Sequence, residues 1–122
     1  MPISKQELEF VSYLTELLQC IGPSQAKRMF GGHGLFIEGL MFGLVSDGVL
    51  YLKANDQSRD QFTTQGLEPF TYYKQGKPFK LSYYQVPEEA LDDPQIMEYW
   101  GNLAFRSALQ EAAKKSIKGR SK

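Results

Sequence analysis

Two dipeptides, Glu38-Gly39 and Asp47-Gly48, constrain what the middle of this chain can become. They interrupt the segment RMFGGHGLFIEGLMFGLVSDGVLYLK, residues 28–53, and leave three brief apolar runs. Short apolar runs parted by two-residue turn signals spell antiparallel hairpins. Asp-Gly suits a tight type I′ turn, because both central residues must take positive φ. The segment therefore reads as a three-stranded antiparallel meander, and the flanking helical segments read as the layer packed against it.

Two-residue turns fix a register. Ile37 then faces Leu40, and Ser46 faces Val49. Counting outward places His33, Leu44 and Tyr51 in one cross-strand row and Leu35, Phe42 and Lys53 in the next, all on one face. The other face carries Gly34, Phe36, Met41, Gly43, Val45, Leu50 and Leu52, with Gly34 opposite Gly43. A glycine pair in adjacent strands leaves a dent that lets a helix or a ligand approach the backbone closely. Both faces are apolar, whereas a sheet with one wet face alternates polar and apolar residues. Helices on both faces, or a second molecule on one of them, are the two expected ways to cover it. This is the main sequence-level sign of self-association or of a protein partner.

The chain has 122 residues, 42% of them hydrophobic, enough for one domain with its own core. The domain is expected to span 1–122, ordered over about residues 4–113, with a basic tail at 114–122. Fourteen basic residues balance fourteen acidic ones. That argues against a surface wholly given to a polyanion, which requires clustered positive charge. The single cysteine, Cys20, excludes an internal disulfide and a multi-cysteine metal site. The N-terminus MPISKQELEF lacks the apolar run of a signal peptide, and no stretch approaches the roughly 18 apolar residues of a membrane span. A cytoplasmic protein with no membrane partner is expected.

In chain order, Ser4 and Glu7 form a capping box, with Ile3 and Leu8 as a staple, ahead of a helix over about residues 5–21. Gly22-Pro23 stops it. Gly31-Gly32 marks a bend before the first strand rather than a phosphate loop, because the lysine and hydroxyl of a P-loop are absent. Asn55 or Asp56 caps a short helix, 57–65, anchored by Phe62 and ended by Gly66. A second hairpin, 70–84, turns at Gln75-Gly76. A strict two-residue turn would set Lys74 against Lys77, so a looser turn is expected. In this hairpin Phe70, Tyr72, Phe79, Leu81 and Tyr83 share one face, and Thr71, Tyr73, Lys80, Ser82 and Tyr84 share the other. Pro78 suits an edge position. Residues 87–91 make one helical turn. Asp93 then caps a last helix with Pro94 at its first position, running to about Ala113.

Few residues are placed for chemistry. His33 is the sole histidine. No GxSxG elbow, HExxH pair or Cys/His cluster accompanies it, so it reads as a strand residue. Glu88-Glu89 and Asp92-Asp93 are explained as helix-start acids. Neither metal nor cofactor is expected, and no catalytic residue is assigned. The 70–84 hairpin interleaves Tyr72, Tyr73, Lys74, Lys77, Phe79, Lys80, Tyr83 and Tyr84. Stacking aromatics beside bases are how single-strand nucleic-acid binders work, although tyrosine and phenylalanine are also good strand formers.

Several separated motifs together resemble the N-terminal domain of the TfoX (Sxy) family of bacterial competence regulators. The family's Arg-Met-Phe-Gly-Gly-aromatic-Gly-Leu is similar to Arg28, Met29, Phe30, Gly31, Gly32, Gly34 and Leu35, with His33 at the aromatic position. Its Leu-Tyr-Leu-Lys matches Leu50 to Lys53, and its Pro-Phe-x-Tyr and Leu-Ser-Tyr-Tyr match Pro69 to Tyr72 and Leu81 to Tyr84. The resemblance covers about residues 5–113. It implies an α+β fold of αβββαββα order, with about five mostly antiparallel strands. It also implies a role in positive regulation of competence genes, with no established catalysis. Full-length TfoX proteins carry a second helical domain after this one, whereas the present sequence ends at Lys122.

The resulting expectation is a non-enzymatic regulatory domain acting through protein contacts, as a homodimer or with a partner in the transcription machinery. Its interaction surface is expected at His33, Leu35, Phe42, Tyr51, Lys53, Tyr73, Lys80 and Tyr84. The alternative is a nucleic-acid-binding module using the 70–84 hairpin and the basic tail. An enzyme or small-molecule binder built on His33, Tyr51 and Lys53 would require those three side chains in one pocket.

Overall fold

The computed structural model describes residues 5–29 and 31–120, with side chains up to Lys115. The fold is α+β. Helix α1 (Lys5–Leu17) runs into a 3-10 turn (Leu18–Cys20). Four strands follow: β1 (Ser24–Met29), β2 (Gly32–Ile37), β3 (Leu40–Ser46) and β4 (Val49–Lys53). A short helix α2 (Arg59–Thr63) leads to β5 (Pro69–Lys74) and β6 (Lys77–Gln85). A 3-10 turn (Glu88–Leu91) and the long helix α3 (Pro94–Arg120) complete the chain. All pairings are antiparallel, in the sheet order β1-β2-β3-β4-β6-β5.

The turns follow the expected chemistry. Glu38 and Gly39 have φ 52 and 78, and Asp47 and Gly48 have φ 55 and 76. Positive φ at both central residues lets each turn match the right-handed strand twist. Asp93 caps α3, its carboxylate accepting the backbone N–H groups of Gln95 at 2.9 Å and Ile96 at 3.4 Å. The α3 helix continues to Arg120, beyond the end expected near Ala113. The capping box at Ser4 and the staple at Ile3 lie outside the described residues.

Four further details differ from the sequence reading. First, the sheet has a sixth strand, β1, whose residues SQAKRM show no apolar alternation. It forms because β2 offers it a complete ladder, from Ser24 opposite Ile37 to Met29 opposite Gly32. Second, the register of β2 on β3 shifts between Leu35 and Phe36, so that Phe36 faces Met41 while Leu35 faces Gly43. Phe42 is the extra residue of a β-bulge. It joins Leu35, Ile37, Val45, Leu50 and Leu52 in the main core. His33 faces Val45 rather than Leu44, and Gly34 faces Leu44 rather than Gly43. The expected glycine-lined dent is absent. A Cβ at Gly34 would meet the Met29 sulfur and the Phe36 ring. Third, Lys74 does face Lys77 across a two-residue turn, with Gln75 and Gly76 at φ 54 and 77. Fourth, α1 and α2 are shorter than expected, α1 tightening into its 3-10 turn at Leu18.

Helices cover one face of the sheet. Leu14 and Leu18, Phe62 of α2, and Met97, Trp100 and Ala104 of α3 are buried with the inward residues of β2, β3 and β4. Phe62 anchors this layer, its ring centroid 4.9 Å from Trp100 and 5.5 Å from Tyr84. The loop before α2 is tied to α3 by buried polar groups. The Asn55 side chain accepts the N–H groups of Gln57 and Ser58, and the Ser58 hydroxyl lies 3.0 Å from the Ser107 hydroxyl.

The opposite face is closed from within. Leu44, Phe70 and Tyr83 are buried there, flanked by Met41, Tyr51, Tyr72 and Leu81. Tyr83 reaches past β4 to donate to the Met41 carbonyl at 3.3 Å, and the Phe70 ring meets Tyr51 edge-on at 5.2 Å. Leu44 is thus fully buried among side chains of the strands themselves.

Candidate interaction surface

The eight residues expected to form one surface occupy three places. His33, Leu35 and Phe42 are buried on the helix-covered face, where they cannot meet a partner without unfolding. Tyr84 belongs to the same side, its ring stacked on Phe62. The grouping of His33, Leu35 and Phe42 with Tyr51 and Lys53 rested on a register without the Phe42 bulge. Tyr51 and Lys53 lie on the other face of β4. His33 and the Tyr51–Lys53 pair therefore share no pocket. Only Tyr73 and Lys80 stand well out in solvent.

His33 makes a structural contact. Its Nδ1 lies 3.4 Å from Glu7 Oε2 across the α1–β2 packing, within ion-pair range but without hydrogen-bond alignment. Lys53 is half-buried, its Nζ 5.0 Å from the centroid of the Tyr83 ring. Burial lowers its amine below the usual lysine range, with Glu111 opposing that shift and Lys115 adding to it. Burial also pushes the Tyr83 phenol up to about 12. Among the described residues no group of three or more His, Cys, Asp or Glu side chains could hold a metal ion.

The exposed chemistry collects on the β5–β6 hairpin. Only Tyr83, Tyr84 and Gln85 of β6 pair with β4, so the rungs from Thr71–Lys80 to Lys74–Lys77 project beyond the sheet as an arm. Pro78 sits where β6 has a single neighbour, which its missing N–H tolerates. Tyr73 is 67% exposed and Phe79 50% exposed, on opposite faces of the arm. Lys74, Lys77 and Lys80 are exposed beside them. No carboxylate occurs from Pro69 to Pro87. Sequence reasoning saw the interleaved aromatics and bases, but the separation of Phe79 from Tyr83 by burial required the β4–β6 register.

The same polarity extends over the sheet. None of the six strands contains an acidic residue, whereas Lys27, Arg28, Lys53, Lys74, Lys77 and Lys80 lie on them. Glu7, Glu9, Glu16, Asp93, Glu98 and Glu111 sit on or cap the helices. Lys5, Arg59, Arg106, Lys114 and Lys115 stand on the helices as well, and Glu38 and Asp47 occupy turns of the sheet, so the balanced composition hides acid-free strands beside helices of mixed charge.

The model of the TfoX N-terminal domain matches residues 16–108. This chain belongs to the TfoX N-terminal domain family. Protein Sxy of Escherichia coli K12 is 29% identical over 107 residues, which is 88% of this chain and 51% of that protein. DNA transformation protein TfoX1 of Aliivibrio fischeri is 34% identical over 86 residues, 70% of this chain and 39% of that protein. The chain spans about half or less of the length of these curated relatives. The match to the TfoX domain includes the meander, the bulge and the arm, so the arm is part of the shared domain rather than an appendage to it. Among the described residues no helix of this TfoX domain is long and apolar enough to cross a membrane.

Proposed function

We propose that this TfoX domain is a non-catalytic regulatory module in the control of DNA transformation, and that it works by docking a protein partner of the transcription machinery on its β5–β6 arm. The link to transformation rests on the family and on the names of its relatives. The arm carries the rest of the reading. It places Tyr73 and Phe79 in solvent among three lysines, with no carboxylate to neutralise them. Exposed aromatics are typical interface anchors, and lysines around them favour an acidic partner surface.

The test is a chimaera in which this chain replaces the matching half of Protein Sxy in a strain lacking its own copy. A transformation-gene reporter should respond to the chimaera and lose most of that response with Tyr73→Ala and Phe79→Ala together. Full response from the double variant at equal protein level would reject the arm. A second reading, nucleic-acid binding by the arm, is favoured by the alternation of aromatic and basic side chains. It predicts single-stranded DNA binding, measured by fluorescence anisotropy, that survives physiological salt and falls in the same variant. Binding seen only at low salt would leave the protein-docking reading in front.

A further inference from the structure

The two ends of the sheet are not alike. At one end the β5–β6 register is broken between Pro69 and Thr71, and Pro78 stands on the partner strand. At the other end β1 pairs with β2 without a shift and contains no proline. Among the described residues no strand lies on its outer side. A regular, uncovered edge is a template for another strand.

The register shows which backbone groups are free. Ile37 and Leu40 close a two-residue turn, so Ile37 exchanges its backbone bonds with β3. Alternation along β2 then turns Gly32, Gly34 and Phe36 toward β1, whose inner ladder is carried by Gln25, Lys27 and Met29. Ser24, Ala26 and Arg28 therefore direct N–H and C=O outward. The Ser24 end is already engaged by α1. Gln19 Nε2 lies 3.0 Å from the Ser24 hydroxyl, which itself donates to the Thr15 carbonyl at 2.9 Å. The open part of the edge is Ala26 and Arg28.

Charge says what kind of strand fits. No acidic residue occurs from Leu17 to Ile37. Lys27 projects on the face away from the helices, its Nζ 5.1 Å from the Phe36 ring centroid, and Arg28 projects on the other face. We propose that the outer edge of β1 accepts an extended acidic segment of a partner protein as a seventh strand. Neighbouring carboxylates on that segment would fall beside Lys27 on one face and Arg28 on the other. Main-chain bonds to Ala26 and Arg28 hold the segment, and the two cations select it. A second copy of β1 would bring four cations into one short ribbon, which opposes self-pairing. The surface lies at the opposite end of the sheet from the arm and does not depend on it.

The probe is a blocked peptide, Thr-Val-Glu-Asp-Val-Thr, compared with Thr-Val-Lys-Lys-Val-Thr, titrated into the full 15N-labelled chain. The acidic peptide should shift the Ala26 and Arg28 amides and slow their exchange, and should bind about tenfold tighter than the basic one. Ala26→Pro removes an outward N–H without touching the inner ladder, and should weaken acidic-peptide binding about tenfold. Should that variant not fold, Lys27→Glu with Arg28→Glu should reverse the peptide preference. Equal binding of both peptides, unchanged Ala26 and Arg28 amides, unweakened binding by folded Ala26→Pro, or a β1–β1 dimer by sedimentation that excludes the peptide would each overturn the proposal.

Discussion

Tyr83 on β6 donates its hydroxyl to the carbonyl of Met41 on β3, 3.3 Å away, crossing the strand that lies between them. The contact closes the side of the sheet opposite Leu14, Phe62 and Trp100. Tyr83→Phe keeps the ring and removes the bond, so it should cost about 1 kcal/mol. Tyr83→Ala also leaves a cavity against Leu44 and Phe70 and should cost about 3–5 kcal/mol. Urea denaturation of the two variants checks the ratio, and equal losses would show that the hydroxyl carries the effect.

The same phenol gives a pH signature. Its folded value is pushed up to about 12 by burial, above the roughly 10 of a free tyrosine. Below about pH 10 both folded and unfolded chains keep the proton, and the contribution of Tyr83 is fully present. Between about 10 and 12 the unfolded chain releases its proton first, so stability falls as pH rises. An ultraviolet titration should show a tyrosine that ionises near 12, and the Tyr83→Phe variant should lose that step.

Asn55, Ser58 and Ser107 act as one unit. The Ser58 hydroxyl accepts the buried Asn55 N–H at 2.9 Å and meets Ser107 at 3.0 Å. Ser58→Ala strands that N–H and should cost about 1–3 kcal/mol. Ser107→Ala should cost about 1 kcal/mol, because the Asn55 N–H keeps its acceptor. The double variant should lose less than the two singles together. Strict additivity in thermal melts would show that the hydroxyls do not share a network.

Two glycines in the meander should respond very differently to alanine. A Cβ at Gly32 would run into the Val45 carbonyl oxygen, which is fixed in the β2–β3 ladder. A Cβ at Gly43 meets the flexible Leu35 side chain at 3.3 Å. Gly32→Ala should therefore cost about 3 kcal/mol or more, and Gly43→Ala about 1 kcal/mol. Circular-dichroism melts rank them directly.

The sequence made the turns and caps legible because their chemistry is local. Glu38-Gly39, Asp47-Gly48 and Asp93-Pro94 each declare a backbone geometry within a few residues. That Tyr83 and Tyr84 fall on opposite faces was also readable, since the hairpin alternates cleanly, but the packing of Tyr84 on Phe62, where an exposed contact was expected, required the tertiary fold. The Phe42 bulge was not, because an extra phenylalanine in an apolar run has no local signature. Its cost in legibility was large. It moved His33, Leu35 and Phe42 away from Tyr51 and Lys53, and so divided the expected surface. Strand β1 was hidden because SQAKRM has no apolar period and is held by its neighbour's ladder alone. The Lys74–Lys77 pairing was misjudged because a like-charge pair weighs only about 0.2–1 kcal/mol, less than the turn geometry at Gln75-Gly76 demands.

The acid-free strands have one more consequence. An electrically neutral molecule can still present a local positive potential, here along strands whose lysines and arginine have no strand carboxylate beside them. Such a body is turned before it is touched: the field of an anionic partner favours approaches in which the strands lead. That alignment fades as salt shortens the Debye length to about 8 Å at physiological strength. Near neutral pH and low ionic strength, the same neutral particle should be retained by a cation exchanger, gripping it by its strands, and released by modest salt.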